Sequence, residues 1–216
     1  MSETPIFSVP PERRRWLPVS DWSFIARFSL LNIGLLLYGA ALAGMIRADV
    51  GLAPWDAFHV GLSRIAPGLT VGMASIGIGF ICLIAANLAF KMPVGIGSIM
   101  NMILIGIYLD FIRAWIPVPM NLWVAWAMFL VSVLGVGIAT GMYIASDFGA
   151  GPRDSLVLGL ARRAGWHVRG WRTLCELIVL AAGWWLGARI GWGTLAFALT
   201  IGPAMALGMR LFGLQR

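Results

Sequence analysis

Six runs of about 20 residues, near positions 28–46, 71–90, 94–112, 122–145, 171–188 and 194–212, carry few charges or none, and nothing else limits the possible folds as tightly. A helix of roughly 20 residues crosses a hydrocarbon core of about 30 Å. Inside lipid such a run has no water to satisfy its backbone, so it must close its hydrogen bonds within itself. The runs are continuously apolar and do not alternate, which argues against the strands of a membrane barrel. Glu176 lies inside the fifth run and makes it the weakest. Of the 216 residues 60% are hydrophobic and 12% charged, against roughly 25% charged in a soluble domain. The expected class is all-α, a polytopic membrane helix bundle of about six transmembrane helices.

A net charge of +7 would suggest a nucleic-acid partner in a soluble protein. Here topology accounts for it. With the N-terminus inside and six spans, twelve basic residues face the cytoplasm (Arg13, Arg14, Arg15, Arg27, Lys91, Arg153, Arg162, Arg163, Arg169, Arg172, Arg210, Arg216) and four (Arg47, Arg64, Arg113, Arg189) lie outside. The positive-inside rule expects that bias, so no nucleic-acid partner is expected and both termini are placed in the cytoplasm. Residues 1–27 read as a cytoplasmic tail, and the run after them is too long for a cleaved signal peptide. Cys82 and Cys175 each sit within an apolar run, which suggests neither a disulfide framework nor a metal site. Nine tryptophans (Trp16, Trp22, Trp115, Trp123, Trp166, Trp171, Trp184, Trp185, Trp192) fall near span ends, as an interfacial belt requires.

The chain also repeats itself. Residues 49–64, DVGLAPWDAFHVGLSR, lie over 147–162 at an offset of 98, so that Asp49/Asp147, Gly51/Gly149, Pro54/Pro152, Asp56/Asp154, Gly61/Gly159, Leu62/Leu160 and Arg64/Arg162 coincide. Further on, Gly97/Gly193, Ser98/Thr194, Ile105/Ile201 and Gly106/Gly202 coincide at an offset of 96. Such self-similarity marks an internal duplication. It divides the chain into repeat 1 (28–113), a Pro-stiffened linker (114–121) and repeat 2 (122–216). Three spans per repeat is an odd number, so the second copy is expected to enter the membrane inverted. Inverted repeats with interrupted helices typify secondary transporters. Small residues four apart, at Ala40/Gly44, Ser75/Gly79, Gly137/Gly141 and Gly183/Gly187, predict close helix crossings. A break or kink is expected near Gly202 and Pro203.

Within each motif, Pro54 and Pro152 suit the first turn of a short helix. The first of these half-helices is amphipathic or re-entrant, with Trp55, Phe58 and Leu62 on one side and Asp56, His59 and Ser63 on the other. Asp56 and Asp154 then stand in first turns, where the dipole favours a carboxylate. Two readings stay open: built-in caps on free N–H groups, or parts of a substrate, cation or proton path, since intramembrane ionisable groups are functional candidates. Asp49 and Asp147 share the ambiguity. Gly51, Gly149 and Gly151 would shape the turns. Arg153 could pair with Asp147 or Asp154 or face a substrate anion, a local ion pair being the expectation; Glu176 is expected to pair with Arg172, and Asp110 with Arg113. Asn32, Asn87 and Asn101 are read as helix-to-helix hydrogen bonds, and His59 and His167 as solvated. No metal, cofactor or catalytic constellation is evident.

The GxGPRD segment at 149–154, opening a short helix after a long apolar span, and the GxGT segment at 191–194 resemble the bacterial YczE/YyaS/YitT group of integral membrane proteins. The resemblance covers most of the chain after residue 28. The first copy departs from it, with Ala53, Pro54, Trp55 and Asp56 where the second has Gly151, Pro152, Arg153 and Asp154. It implies a multi-pass protein of the bacterial cytoplasmic membrane and names no substrate. The expected function is a transporter or permease-like protein for an unknown small solute, in the lipid bilayer and compatible with a homodimer. The candidate path residues are Asp49, Gly51, Pro54, Asp56, Asp147, Gly149, Gly151, Pro152, Arg153, Asp154 and Glu176. The rival is a non-catalytic scaffold that binds a cytoplasmic partner through residues 162–172. An enzyme is not expected.

Overall fold

Polar residues set just ahead of apolar runs start several of the helices, because a side-chain oxygen there can take an N–H that the first turn leaves without a partner. Ser23 accepts from the Ala26 N–H at 3.3 Å, Thr70 from Met73 at 3.1 Å and Asn121 from Val124 at 3.0 Å. The computed structural model describes residues 22–165 and 167–214. In it the chain forms α1 (Phe24–Ala48), α2 (Pro54–Ile65), α3 (Val71–Phe90), α4 (Ile96–Trp115), α5 (Leu122–Ser146), α6 (Pro152–Ala164), α7 (Val168–Trp185) and α8 (Trp192–Leu211). No strand occurs among the described residues.

Five helices are long and apolar enough to cross a membrane: α1, α3, α4, α5 and α8. The expected fifth span is α7, which carries Arg169, Arg172 and Glu176 in its 18 residues and does not qualify on composition. Helix α1 begins at Phe24, inside the stretch read as tail; residues 1–21, with Trp16, and position 166 lie outside the described residues. Of the break or kink expected near Gly202 and Pro203, the break is absent, for α8 is a single helix with Pro203 inside it.

Helices α1 and α5 form the centre and cross antiparallel, Gly34 lying against Met142 and Tyr143 and Gly44 against Ser132. Helix α4 runs parallel to α1, with Gly39 against Ile105 and Tyr108. The Arg47 guanidinium then ties the two C-terminal ends together through the Ile116 and Arg113 carbonyls, at 2.8 and 3.1 Å. Helix α8 runs parallel to α5, with Gly137 against Ala204 and Gly141 against Gly208. Lipid gives apolar helices no hydrophobic reason to associate, so contact is won by close packing at small residues. Gly187 is the exception to the predicted spacing: it lies beyond α7, at φ +87°, and makes no crossing. The short helices α2 and α6 each pack on α3 and α7. Trp115, Trp123, Trp184, Trp185 and Trp192 stand exposed at helix ends.

The duplicated motif builds the same turn twice. Asp49 and Asp147 end α1 and α5 in the left-handed conformation, at φ 50° and 59°, one that Asp tolerates better than most residues. Gly149 follows at φ +119°, where a side chain would be strained, and a Cβ on Gly51 would strike the Gly193–Thr194 backbone. Each turn docks on the first turn of a helix in the other repeat. The Val50 carbonyl accepts from the Gly193 N–H at 2.9 Å, and the Leu52 N–H donates to Thr194 Oγ1 at 3.1 Å. In the second copy the Phe148 carbonyl accepts from the Gly97 N–H at 2.9 Å, and Ser98 Oγ donates to the Ala150 carbonyl at 2.6 Å. The coincidences at offsets 98 and 96 are thus one contact made twice.

Candidate functional site

Helices α2 and α6 start where these turns end, each with proline in its first turn and no side-chain cap. Their first-turn residues converge with polar groups from α1, α3, α5 and α7. Asp56 is 1% exposed and His59 fully buried, so the polar side of α2 faces the protein interior while Trp55 and Phe58 are only half-buried. Histidine 59 is therefore not solvated, as its position between spans had suggested.

Arg153 does not form the expected local ion pair. It reaches 94 residues back to His59 Nε2, at 3.5 Å, donates to Ser75 Oγ at 3.3 Å, and lies over the Trp55 ring at 4.9 Å. A guanidinium can only donate, so Nε2 is the acceptor and the neutral imidazole carries its hydrogen on Nδ1. That nitrogen is 3.9 Å from Asp56 Oδ1, too far for a hydrogen bond. Both Asp56 oxygens and His59 Nδ1 are buried without a hydrogen-bond partner. Asp56 is thus no cap. Burial pushes its carboxyl up to about 6, with Arg153 working the other way. Burial also holds His59 well below the usual imidazole range, and the same guanidinium adds to the effect.

Asp154, the repeat counterpart of Asp56, has partners, and none is a backbone N–H. Tyr143 donates to its Oδ2 at 2.6 Å, and Arg172 lies 3.7 Å from Oδ1. Arg172 also bonds Glu176 at 3.2 Å, the predicted i,i+4 pair. Asn101 and the Asp154 carboxylate both lie beside Gly151. Tyr38 on α1 is near enough to Arg153, Asp56, Asp154 and Arg172 to feel all four charges. The arrangement holds two cations, Arg153 and Arg172, against three carboxyls, Asp56, Asp154 and Glu176. It offers a donor face at Arg153 and an unused acceptor at Asp56, and so can bind a polar solute or a proton.

The structure brings Asp56, Arg153, Asp154 and Glu176 together, and Gly51, Pro54, Gly149, Gly151 and Pro152 shape the two turns leading in. It leaves Asp49 and Asp147 apart, on exposed ends, Asp49 with Arg189 at 2.8 Å and Asp147 with Arg27 at 3.5 Å. Asp110 pairs not with Arg113 but with Thr70 Oγ1 and the Gly72 N–H. Asn32 and Asn87 bond carbonyls four and five residues away in their own segments and do not bridge helices. Sequence reasoning missed Tyr38, Ser75 and Tyr143; the one signal was rarity, since two of the chain's three tyrosines lie in this cluster.

Residues 25–210 match a family described as of unknown function, DUF6198. The chain is 35% identical over 175 residues to the uncharacterized membrane protein YczE of Bacillus subtilis, covering 81% of this chain and 80% of that one. It is 30% identical to the uncharacterized protein YyaS of the same organism, over 78% of this chain and 85% of that one. An uncharacterized protein of Haemophilus influenzae is 27% identical, over 89% and 88%. No solved structure matches.

Proposed function

The chain belongs to the DUF6198 family, and we propose that it is a transporter or permease-like protein for a small polar solute, built as two inverted repeats around the cluster at the starts of α2 and α6. The observation that carries this reading is that, among the described residues, two helices are short, one per repeat, and their first turns bring the buried Asp56 and the half-buried Arg153 and Asp154 into one polar cluster. Interrupted segments meeting near the bilayer midplane are where secondary transporters bind their cargo. The helix pairings support the symmetry: α1 with α4 matches α5 with α8, and α2 with α7 matches α6 with α3. In this reading Asp49 with Arg189 lies at the outer end and Asp147 with Arg27 at the inner end. Both termini are cytoplasmic, the membrane is the bacterial inner membrane, and α7 serves as the sixth span with its charges turned toward Asp154. The site binds and passes a solute and makes no bond. The scaffold alternative loses support because Arg162, Arg163 and Arg172 are engaged within the chain, with Met92, Ala89 and Asp154.

Two measurements test it. With Cys82 and Cys175 replaced, single cysteines at positions 49 and 147 should react with an impermeant thiol reagent from opposite sides of the membrane; labelling from one side alone refutes the inversion. An untargeted comparison of solutes in cells expressing wild type or Asp154→Asn should reveal at least one whose accumulation depends on the carboxylate. Identical profiles at equal membrane levels overturn the transport reading.

A further inference from the structure

The Asp56 carboxyl is the most conspicuous unused group in the molecule. It is 1% exposed, neither oxygen has a hydrogen-bond partner, and the His59 Nδ1 that lies 3.9 Å from Oδ1 is equally unserved. A buried, unpaired carboxylate is too costly to persist as such; it acquires a ligand or neutralises. A metal ion fits poorly, because hard cations take six or more oxygens whereas the neighbours here are an imidazole, a guanidinium and the Trp55 ring. Among the described residues no group of three metal-ligating side chains forms.

The surroundings suit a proton. The charged or titratable groups bearing on Asp56 are Arg153 on α6, His59 on α2 and Tyr38 on α1; beyond them Tyr143 on α5, Asp154 on α6 and Arg172 on α7 surround Tyr38, and Cys82 on α3 lies within the field of Arg153. Tyr143, Asp154 and Arg172 are already bound to one another. Arg153 has only the two long contacts to His59 and Ser75 and the Trp55 face, and no carboxylate lies within ion-pair range of it among the described residues. It is the cation free to respond.

We propose that Asp56 is a proton-binding site, and that losing its proton draws Arg153 off His59, Ser75 and Trp55 and onto the new carboxylate, tying the start of α6 to the start of α2. The step moves one proton between Asp56 Oδ and bulk water and breaks no other covalent bond. In this proposal the arrangement described corresponds to the protonated state, in which the Arg153 cation meets only uncharged partners on α2, the His59 imidazole and the Trp55 ring. That the proton drives solute movement rests on the function proposed above; that Asp56 binds it and steers Arg153 does not. The raised value of this carboxyl, about 6, agrees with occupancy that changes near neutral pH.

The test uses the purified full-length protein in detergent, with the infrared band of protonated carboxyls followed from about pH 4.5 to 8.5, a window bracketing ordinary and raised carboxyl values. A titrating band should be present in wild type, be lost in Asp56→Asn and be retained in Asp56→Glu. Arg153→Gln should move its midpoint upward, since the cation that favours ionisation is gone. Tryptophan emission should change over the same pH range, and Trp55→Phe and Arg153→Gln should each abolish the change. A band unaltered in Asp56→Asn, or a midpoint unmoved by Arg153→Gln, overturns the proposal. Should Asp56→Asn not fold, the Glu and Gln variants, which keep a carboxyl, decide it. None of these results depends on the solute comparison or on the labelling.

Discussion

Adding one methyl group at Gly141 tests whether α5 and α8 cross as closely as described. A β-carbon there would fall within 3.0 Å of the Gly208 carbonyl and 3.1 Å from the Gly208 Cα, where ordinary contact begins at 3.4 Å. The obstructing atoms are backbone, so no rotamer change relieves the clash and the helices must part. Gly137, one turn earlier, is blocked in the same way by Ala204, so the parting extends over two turns. Overpacking of this kind costs about 1–3 kcal/mol, with a rigid backbone contact at the upper end; replacing glycine by alanine inside a helix returns up to about 1 kcal/mol. The net loss for Gly141→Ala is then about 2 kcal/mol, or roughly 4–8 °C in Tm for a chain of this size. Gly77→Ala is the control. It lies inside α3 with nothing within 4 Å of its would-be β-carbon, so only the helix gain remains and Tm should hold or rise slightly. Thermal unfolding of both variants in one detergent at one scan rate gives the comparison. If Gly141→Ala melts with Gly77→Ala, the crossing is looser than the coordinates state and the small-residue argument fails.

Other substitutions probe the contacts around the site. Thr194→Val leaves the buried Leu52 N–H without its acceptor and should lower stability by about 1–3 kcal/mol, whereas Ser98→Ala leaves the half-buried Ala150 carbonyl with the longer contact from Ser155 Oγ, at 3.4 Å, and should cost about 1 kcal/mol; an unchanged melt in either variant would refute the corresponding dock. Asp110→Ala removes the acceptor of the Gly72 N–H and should cost about 1–2 kcal/mol, as loss of a helix-start acceptor does. Amide exchange should then quicken in the first turn of α3 and not in its last; unchanged exchange there would refute the role.

The helices were largely legible, because a run of apolar residues fixes both the environment and the backbone: the run at 71–90 is α3, and those at 94–112 and 194–212 are α4 and α8 within three residues. The site was legible in its members and not in their roles. Spacing rules find partners three or four residues away, as for Arg172 and Glu176, whereas Arg153 spends its donors 78 and 94 residues away. Helix α2 shows a second limit. Its division into polar and apolar sides carried no direction, and His59 was read as solvated from its place between spans, whereas the side with Asp56 and His59 turns inward. Of the two readings left open for Asp56 and Asp154, capping is not what the side chains do: the Asp154 carboxylate takes Tyr143 and Arg172 as partners, and both Asp56 oxygens stay without a hydrogen bond.

The two copies of the motif have kept their shape and divided their chemistry. Asp49 and Asp147 do the same job, each ending a long helix in the left-handed conformation beside one arginine. The next residues hold the same turns, through Gly51 with Gly149 and Pro54 with Pro152. The divergence falls at Trp55 and Arg153, which are repeat counterparts and which touch, the guanidinium 4.9 Å above the indole. Counterparts that meet must lie close to the axis relating the proposed repeats. Two arginines there would repel, and two tryptophans would leave the buried carboxyl without a cation. One of each gives an attraction of about 0.5–2 kcal/mol and leaves a single cation bearing on Asp56. Departure from symmetry at this position is thus what permits one proton site where perfect duplication would have made two or none.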